Sequence, residues 1–177
     1  MNALKIINSS AILIICSILI GAFYFQFGLH EDPCPLCLLQ RIAMIAVIFG
    51  LCLNTYFGFK AEHFGIIIIS ALIGITISTR QVLLHICPVP GEAAGYGSPI
   101  FGMYLYSWGV VIFAASILAS AILLFFIPKA AVTRTDLKIS LFEKSAVYLA
   151  VLLILINVIA TLFECQLGPC CDDGPCL

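Results

Sequence analysis

Cys34-Pro35-Leu36-Cys37 sets two thiols two residues apart, and Leu38-Leu39-Gln40-Arg41 follows at once. Cysteines at this spacing can close a small disulfide ring, form half of a zinc site, or cycle between dithiol and disulfide. Pro33 and Pro35 suit a helix start and not a helix interior, which predicts the pair at the entry to a helix. A helix N-terminus stabilises a thiolate, and the thiolate is the nucleophile of disulfide exchange. Arg41 then falls one helical turn past Cys37.

The elements that must position these groups are apolar. Of 177 residues, 63% are hydrophobic and only 10% charged, more apolar surface than a soluble domain of this size can cover. Five stretches are long enough to cross a bilayer: Ile6–Phe27, Ile42–Phe59, Phe64–Leu84, Tyr104–Ile127 and Ser145–Phe163. Runs such as Ile66 to Ile69 and Val151 to Ile156 do not alternate, so the expected form is helical and not a β-barrel. The first stretch lacks a small-x-small cleavage site and is expected to remain as a helix. The expected fold is an all-α integral membrane protein: a four-helix transmembrane bundle (1–127), a connection (128–144), a fifth transmembrane helix (145–163) and a Cys-rich tail (164–177).

Charge gives an orientation. With the N-terminus inside, the inner side carries Lys5, Lys60, Lys129, Arg134, Lys138 and Lys144, and the outer side only Arg41 and Arg80. Cys34 and Cys37 then face out, as do His85–Met103 and the tail from Glu164. Seven of nine cysteines fall on that outer side: Cys34, Cys37, Cys87, Cys165, Cys170, Cys171 and Cys176. Outside a bacterial cytoplasm, disulfides form and persist. Cys16 and Cys52 lie within spans and read as packing residues. An arginine at membrane depth needs an ion pair or a function, unless its side chain snorkels to the headgroups.

Pro88, Pro90, Gly91, Gly95, Gly97 and Pro99 mark an irregular outer loop. Tyr104, Tyr106 and Trp108 are expected as an aromatic belt, and Gly65 and Gly74 as points of close helix packing. The tail from Glu164 holds four cysteines in fourteen residues and needs cross-links or a metal to hold a shape. No nucleotide-binding glycine pattern, basic nucleic-acid patch or internal repeat is present.

The block Cys34-Pro-Leu-Cys37-Leu-Leu-Gln-Arg41-Ile-Ala-Met resembles the signature of the DsbB membrane thiol oxidases. Arg80-Gln-Val-Leu-Leu-His85 resembles the end of that family's third helix, and the likeness covers about Ile6–Ile127. The resemblance implies a bacterial inner-membrane protein that reoxidises a soluble periplasmic DsbA-type partner and passes two electrons to ubiquinone or menaquinone. Cys34 and Cys37 match the quinone-coupled disulfide, with Cys37 nearest the quinone. Arg41 matches the quinone-site arginine, and His85 a polar residue near the ring; a histidine bonded to a loop carbonyl is the plainer reading of His85. A DsbA-type partner is a strong oxidant, near −120 mV, so an ordinary disulfide reoxidises it poorly and a quinone is needed.

The chain departs from the family pattern. Its second outer loop is short and holds only Cys87, where typical members carry two partner-exchanging cysteines. Cys165, Cys170, Cys171 and Cys176 are candidates to supply the missing thiols. A second reading makes the tail a metal site in a membrane metal-binding or transport protein, since four thiols suit zinc or copper(I). A vitamin-K-epoxide-reductase-like enzyme fits less well, because that class keeps its C-x-x-C at the start of the last helix.

Overall fold

The computed structural model describes residues 2–86, 95, 97–126, 139–165, 170–171 and 174–175. Cys87, Cys176 and most of the inner connection lie outside the described residues, and Cys170 and Cys171 are described in backbone only. Five α-helices are present among the described residues: α1 (Asn2–Phe23), α2 (Pro35–Phe57), α3 (Ala61–Leu84), α4 (Leu105–Phe126) and α5 (Leu141–Cys165). All five are long and apolar enough to span a bilayer, so this is a multi-pass membrane protein. A π-helical turn (Tyr24–Gly28) continues α1. Two-residue strands β1 (Cys170–Cys171) and β2 (Gly174–Pro175) pair antiparallel in the tail.

α2 lies at the centre. It packs against α1 and α3 and also touches α4 and α5, while α5 lies along α1 and α4 along α3. α2 begins at Pro35, seven residues before the span read from hydropathy, because proline is preorganised for the first helical position. Cys34 is the N-cap, and its sulfur accepts the Cys37 amide N–H at 3.2 Å. The start of α5 is fixed by a capping box: Ser140 N–H donates to Glu143 Oε2 at 2.7 Å, and Glu143 N–H to Ser140 Oγ at 3.3 Å.

Lipid removes the hydrophobic drive between helices, so close packing and interhelical hydrogen bonds hold the bundle. The apolar core runs through Ile12, Leu19, Val47, Ile48, Phe64, Ile67 and Phe113. Away from the C-x-x-C end, α1, α2 and α3 share a buried polar knot. Asn8 Nδ2 donates to Leu51 O and Thr55 Oγ1, Asn54 Nδ2 donates to Asn8 Oδ1, and His63 Nδ1 meets Asn54 Oδ1 at 3.1 Å. Large apolar side chains such as Ile14, Ile69, Leu118 and Leu155 face outward, as lipid contact requires.

Before α4, Ile100 and Met103 exchange both backbone hydrogen bonds across Phe101-Gly102. Both central residues have positive φ, the geometry of a tight two-residue hairpin turn. The expected aromatic belt is only partly that: Tyr106 is buried and stacks between His85 and Tyr104, and Trp108 Nε1 donates to Ile100 O. Of the two glycines expected to permit close packing, only Gly74 does so. A Cβ there would overlap the Phe113 ring, whereas nothing lies within 4 Å of one at Gly65.

Gly74→Leu is therefore expected to separate α3 from α4 and destabilise the bundle by about 1–3 kcal/mol. Gly65→Leu should stay within about 0.5 kcal/mol of wild type. Thermal unfolding in detergent checks this pair; equal effects at both positions would contradict the packing described.

Candidate functional site

Cys34 and Cys37 form a disulfide. Cys34 is buried and Cys37 half-buried, and the two open in different directions. Cys37 lines a pocket between α1, α2 and the start of α4, together with Ile18, Ala22, Phe25, Gln26, Gln40, Arg41, Met44, Leu105 and Tyr106. Cys34 lines a separate groove with Pro35, Leu36, Arg80, Gln81, Leu84 and His85. The disulfide thus sits in the wall between an apolar pocket holding a cation and a more polar outer groove.

Arg41 does not snorkel. It is 7% exposed, and its guanidinium turns into the bundle. Nη1 donates to Gln26 Oε1 at 2.6 Å, Nη2 donates to Ala22 O at 3.2 Å, and the group lies 5.2 Å from the centre of the Phe23 ring. An arginine at helix centre costs about 3 kcal/mol on insertion scales. Two hydrogen bonds to a charged group, at about 1.5–3 kcal/mol each, offset that. Ala22 and Gln26 flank the point where α1 gives way to the π-helical turn, which is often found at functional sites.

Gln26 continues the network. It is buried, and its Nε2 donates to Glu164 Oε2 at 3.2 Å. Glu164 is the penultimate residue of α5, so the fifth helix contributes a carboxylate to the arginine's surroundings. At the other end of the α1–α5 contact, Lys5 Nζ lies 4.0 Å from Glu143 Oε1. Cys165, next to Glu164, is buried and disulfide-bonded. Among the described residues, Cys16 and Cys52 are free thiols, as their place within the spans suggests.

The segment before α2 and the segment before α4 are tied together at the pocket. Ser98 donates through its amide N–H (3.2 Å) and hydroxyl (2.5 Å) to the Glu31 carboxylate. Gly97, with φ +78, lies against the same carboxylate, and both Glu31 and Gly97 line the pocket. His85 is placed on the Cys34 side and does not line the Arg41 pocket. Its Nδ1 lies 2.9 Å from Gln81 O; a carbonyl only accepts, so Nδ1 carries the proton. Of the candidate residues read from sequence, the structure gathers Cys34, Cys37 and Arg41 around one pocket wall. Cys87, Cys176 and the side chains of Cys170 and Cys171 lie outside the described residues.

Four further residues of this site are not singled out from sequence: Gln26 and Glu164 are single polar residues in or beside apolar runs, and Gln40 and Gln81 fall within the two blocks that resemble the family without a role of their own being read.

A disulfide at the N-terminus of a membrane-spanning helix, with a buried cation one turn below it, defines a membrane protein built for thiol–disulfide redox chemistry. A family model described as disulfide bond formation protein DsbB matches residues 5–159. The chain belongs to the DsbB family, whose activity is disulfide bond formation. Relatives include disulfide bond formation protein B of Burkholderia thailandensis, 29% identical over 58% of this chain and 78% of its own length. Disulfide bond formation protein B 1 of Pseudomonas entomophila is 30% identical over 56% of this chain and 78% of its own. The Pseudomonas syringae protein is 37% identical over 46% and 50%. No solved structure matches the chain. The family match extends past the first four spans, over which the resemblance is read, and takes in most of α5.

Gln26→Leu removes an acceptor from Arg41 and a donor from Glu164. It is expected to destabilise the protein by about 1.5–3 kcal/mol, with Glu164→Leu costing less because Arg41 keeps both its acceptors. Thermal midpoints in detergent would show this order; a Gln26→Leu protein as stable as wild type would contradict the network.

Proposed function

We propose that this protein is a quinone-dependent oxidase of a soluble DsbA-type dithiol protein, with Cys34–Cys37 as the exchanging disulfide. The two-sided setting of that disulfide carries the reading: Cys34 borders an outer groove, and Cys37 borders an apolar pocket that contains Arg41.

The chemistry balances as follows. A partner thiolate attacks Cys34 Sγ; the Cys34–Cys37 bond breaks and Cys37 leaves as a thiolate. The partner's second thiol loses its proton and attacks the mixed disulfide, and Cys34 leaves and takes up a proton. The partner departs as a disulfide, and two electrons rest on the pair. The start of α2 holds the sulfurs where its N-terminal amides favour the anion.

The Arg41 pocket suits a quinone headgroup. Ile18, Phe25, Met44 and Leu105 supply apolar wall, and its polar groups include the Gln26 amide and a guanidinium with N–H donors beyond the two already engaged, with Glu31 and Asp32 also in the lining. Ubiquinone or menaquinone, when bound, would accept the two electrons together with two protons, one from the Cys34 thiol and one from water. Arg41 and Gln26 would hold its oxygen, and the apolar walls exclude water from the Cys37 sulfur.

The orientation follows from charge and from the two unlike ends of the bundle. The N-terminus and the Lys60 connection lie in the cytoplasm; Cys34, Cys37, Glu31–Ser98 and Glu164 lie at the periplasmic face of the bacterial inner membrane. Cys165, Cys170, Cys171 and Cys176, with Cys87, are candidates for a relay between partner and Cys34. Cys165 is already disulfide-bonded, the state in which a relay accepts electrons. It also withdraws one thiol from a four-cysteine metal site. Partner oxidation untouched by single Cys→Ser changes in the tail would remove the relay and leave direct attack on Cys34.

Purified protein given a reduced DsbA-type partner and a soluble quinone is expected to form quinol. Cys37→Ser should abolish turnover, and Arg41→Met should raise the KM for quinone about tenfold or more, the loss of one charge-assisted hydrogen bond. No quinol from wild type, with both quinone classes tried, would overturn the reading.

A further inference from the structure

Gln81, in the last turn of α3, is 1% exposed, and its side-chain amide sits against the disulfide. Nε2 lies 3.2 Å from Cys34 Sγ and 3.5 Å from Cys37 Sγ. Its Oε1 accepts from Gln40 Nε2 at 2.7 Å. That bond ties the two amides together: with the Gln40 NH2 turned toward α3, Gln81 turns its oxygen toward α2 and its NH2 toward the disulfide. Gln40 is itself buried, one residue before Arg41. Its Oε1 faces α4 at Gly109, where a Cβ would come within 3.2 Å of it and 2.7 Å of Ser78 Oγ. Three helices therefore hold two amides in line, with the last donor aimed at sulfur.

A disulfide sulfur is a weak acceptor, so this arrangement contributes little to the oxidised protein. A thiolate is a strong one, and a charge-assisted hydrogen bond in a site shielded from water is about twice as strong as a neutral one. The interaction is thus made mainly in the reduced state. An NH2 group has two hydrogens and meets two sulfurs, so it follows the negative charge whichever sulfur leaves.

We propose that Gln81 is a catalytic residue of the Cys34–Cys37 couple: its amide N–H groups stabilise the thiolate released when the disulfide is reduced, and Gln40 is the positioning residue that keeps those donors on the sulfurs. The inference rests on Cys34–Cys37 being the exchanging pair, as proposed above. In the step it assists, the incoming thiolate forms a bond to Cys34, the Cys34–Cys37 bond breaks, and the electron pair goes to Cys37. Gln81 gives up neither proton nor electron. Its effect is to favour the reduced form, which makes the disulfide a stronger oxidant. The same logic makes a DsbA-type protein oxidising, its reduced form being the stabilised one. A protein that must draw electrons from so strong an oxidant gains from the same device.

The test is the thiol–disulfide equilibrium of the full-length protein in detergent with glutathione buffers. The reduced fraction of Cys34–Cys37 is read by alkylation and peptide mass, so the tail cysteines do not interfere. Gln81→Met removes the donor at nearly constant shape. It is expected to shift the equilibrium about tenfold toward the disulfide, about 30 mV for a two-electron couple, and to slow alkylation of the reduced pair at pH 7 by a similar factor. Gln40→Leu leaves the donor present but unanchored and should give a smaller shift in the same direction. The double variant Gln40→Leu/Gln81→Met leaves no orphaned amide and should match Gln81→Met, so the test stays readable if a single variant fails to fold. Equilibrium constants within twofold of wild type in the folded variants would overturn the proposal. No quinone takes part in this measurement, so failure here is distinct from failure of the quinone reading.

Discussion

A guanidinium inside a membrane bundle must be given acceptors, and the outer half of this protein is arranged around that requirement. Arg41 is carried inward by the buried face of α2 and finds the Gln26 amide and the Ala22 carbonyl on α1 and its π-helical extension. Gln26 presents its oxygen to Arg41 and donates through its nitrogen to Glu164 at the end of α5. Three helices are fixed relative to one another by one charge. The pocket beside Cys37 is what that fixing leaves open: apolar on its walls, cationic at one point, roofed by the Glu31–Ser98 clasp.

The fifth helix belongs to this arrangement. It lies along α1, meets Lys5 near one end through Glu143 and Gln26 at the other through Glu164. The family match likewise runs into α5. Glu164 is followed directly by the disulfide-bonded Cys165, so the cysteine-rich tail starts one residue from the arginine's network. α5 thereby brings Glu164 against Gln26, which lines the same pocket as Cys37.

Much of this was legible in sequence, for definite reasons. Spans are written in long apolar runs, and Pro35 beside Cys34 marks a helix start because proline fits only there. The Cys34–Cys37 spacing closes its disulfide locally, without help from the rest of the fold. What sequence hid were partnerships across distance. Gln26 meets Arg41 from fifteen residues away and Glu164 from 138, and Gln40 meets Gln81 across 41. No local pattern encodes which amide faces which helix. Tyr106 read as a lipid-facing aromatic because its position near a helix start suits a belt; the stack with His85 draws it inward. Gly65 and Gly74 look alike in sequence, and only the position of Phe113 separates them.

The proposed activity depends on one step, the transfer of two electrons from the Cys34–Cys37 dithiol to quinone with no partner present. Protein reduced, freed of reductant and mixed with one quinone in a single turnover tests it directly. The expected result is one quinol for each Cys34–Cys37 disulfide re-formed, the two appearing at the same rate. Quinone left unreduced beside a persistent Cys34–Cys37 dithiol would contradict it.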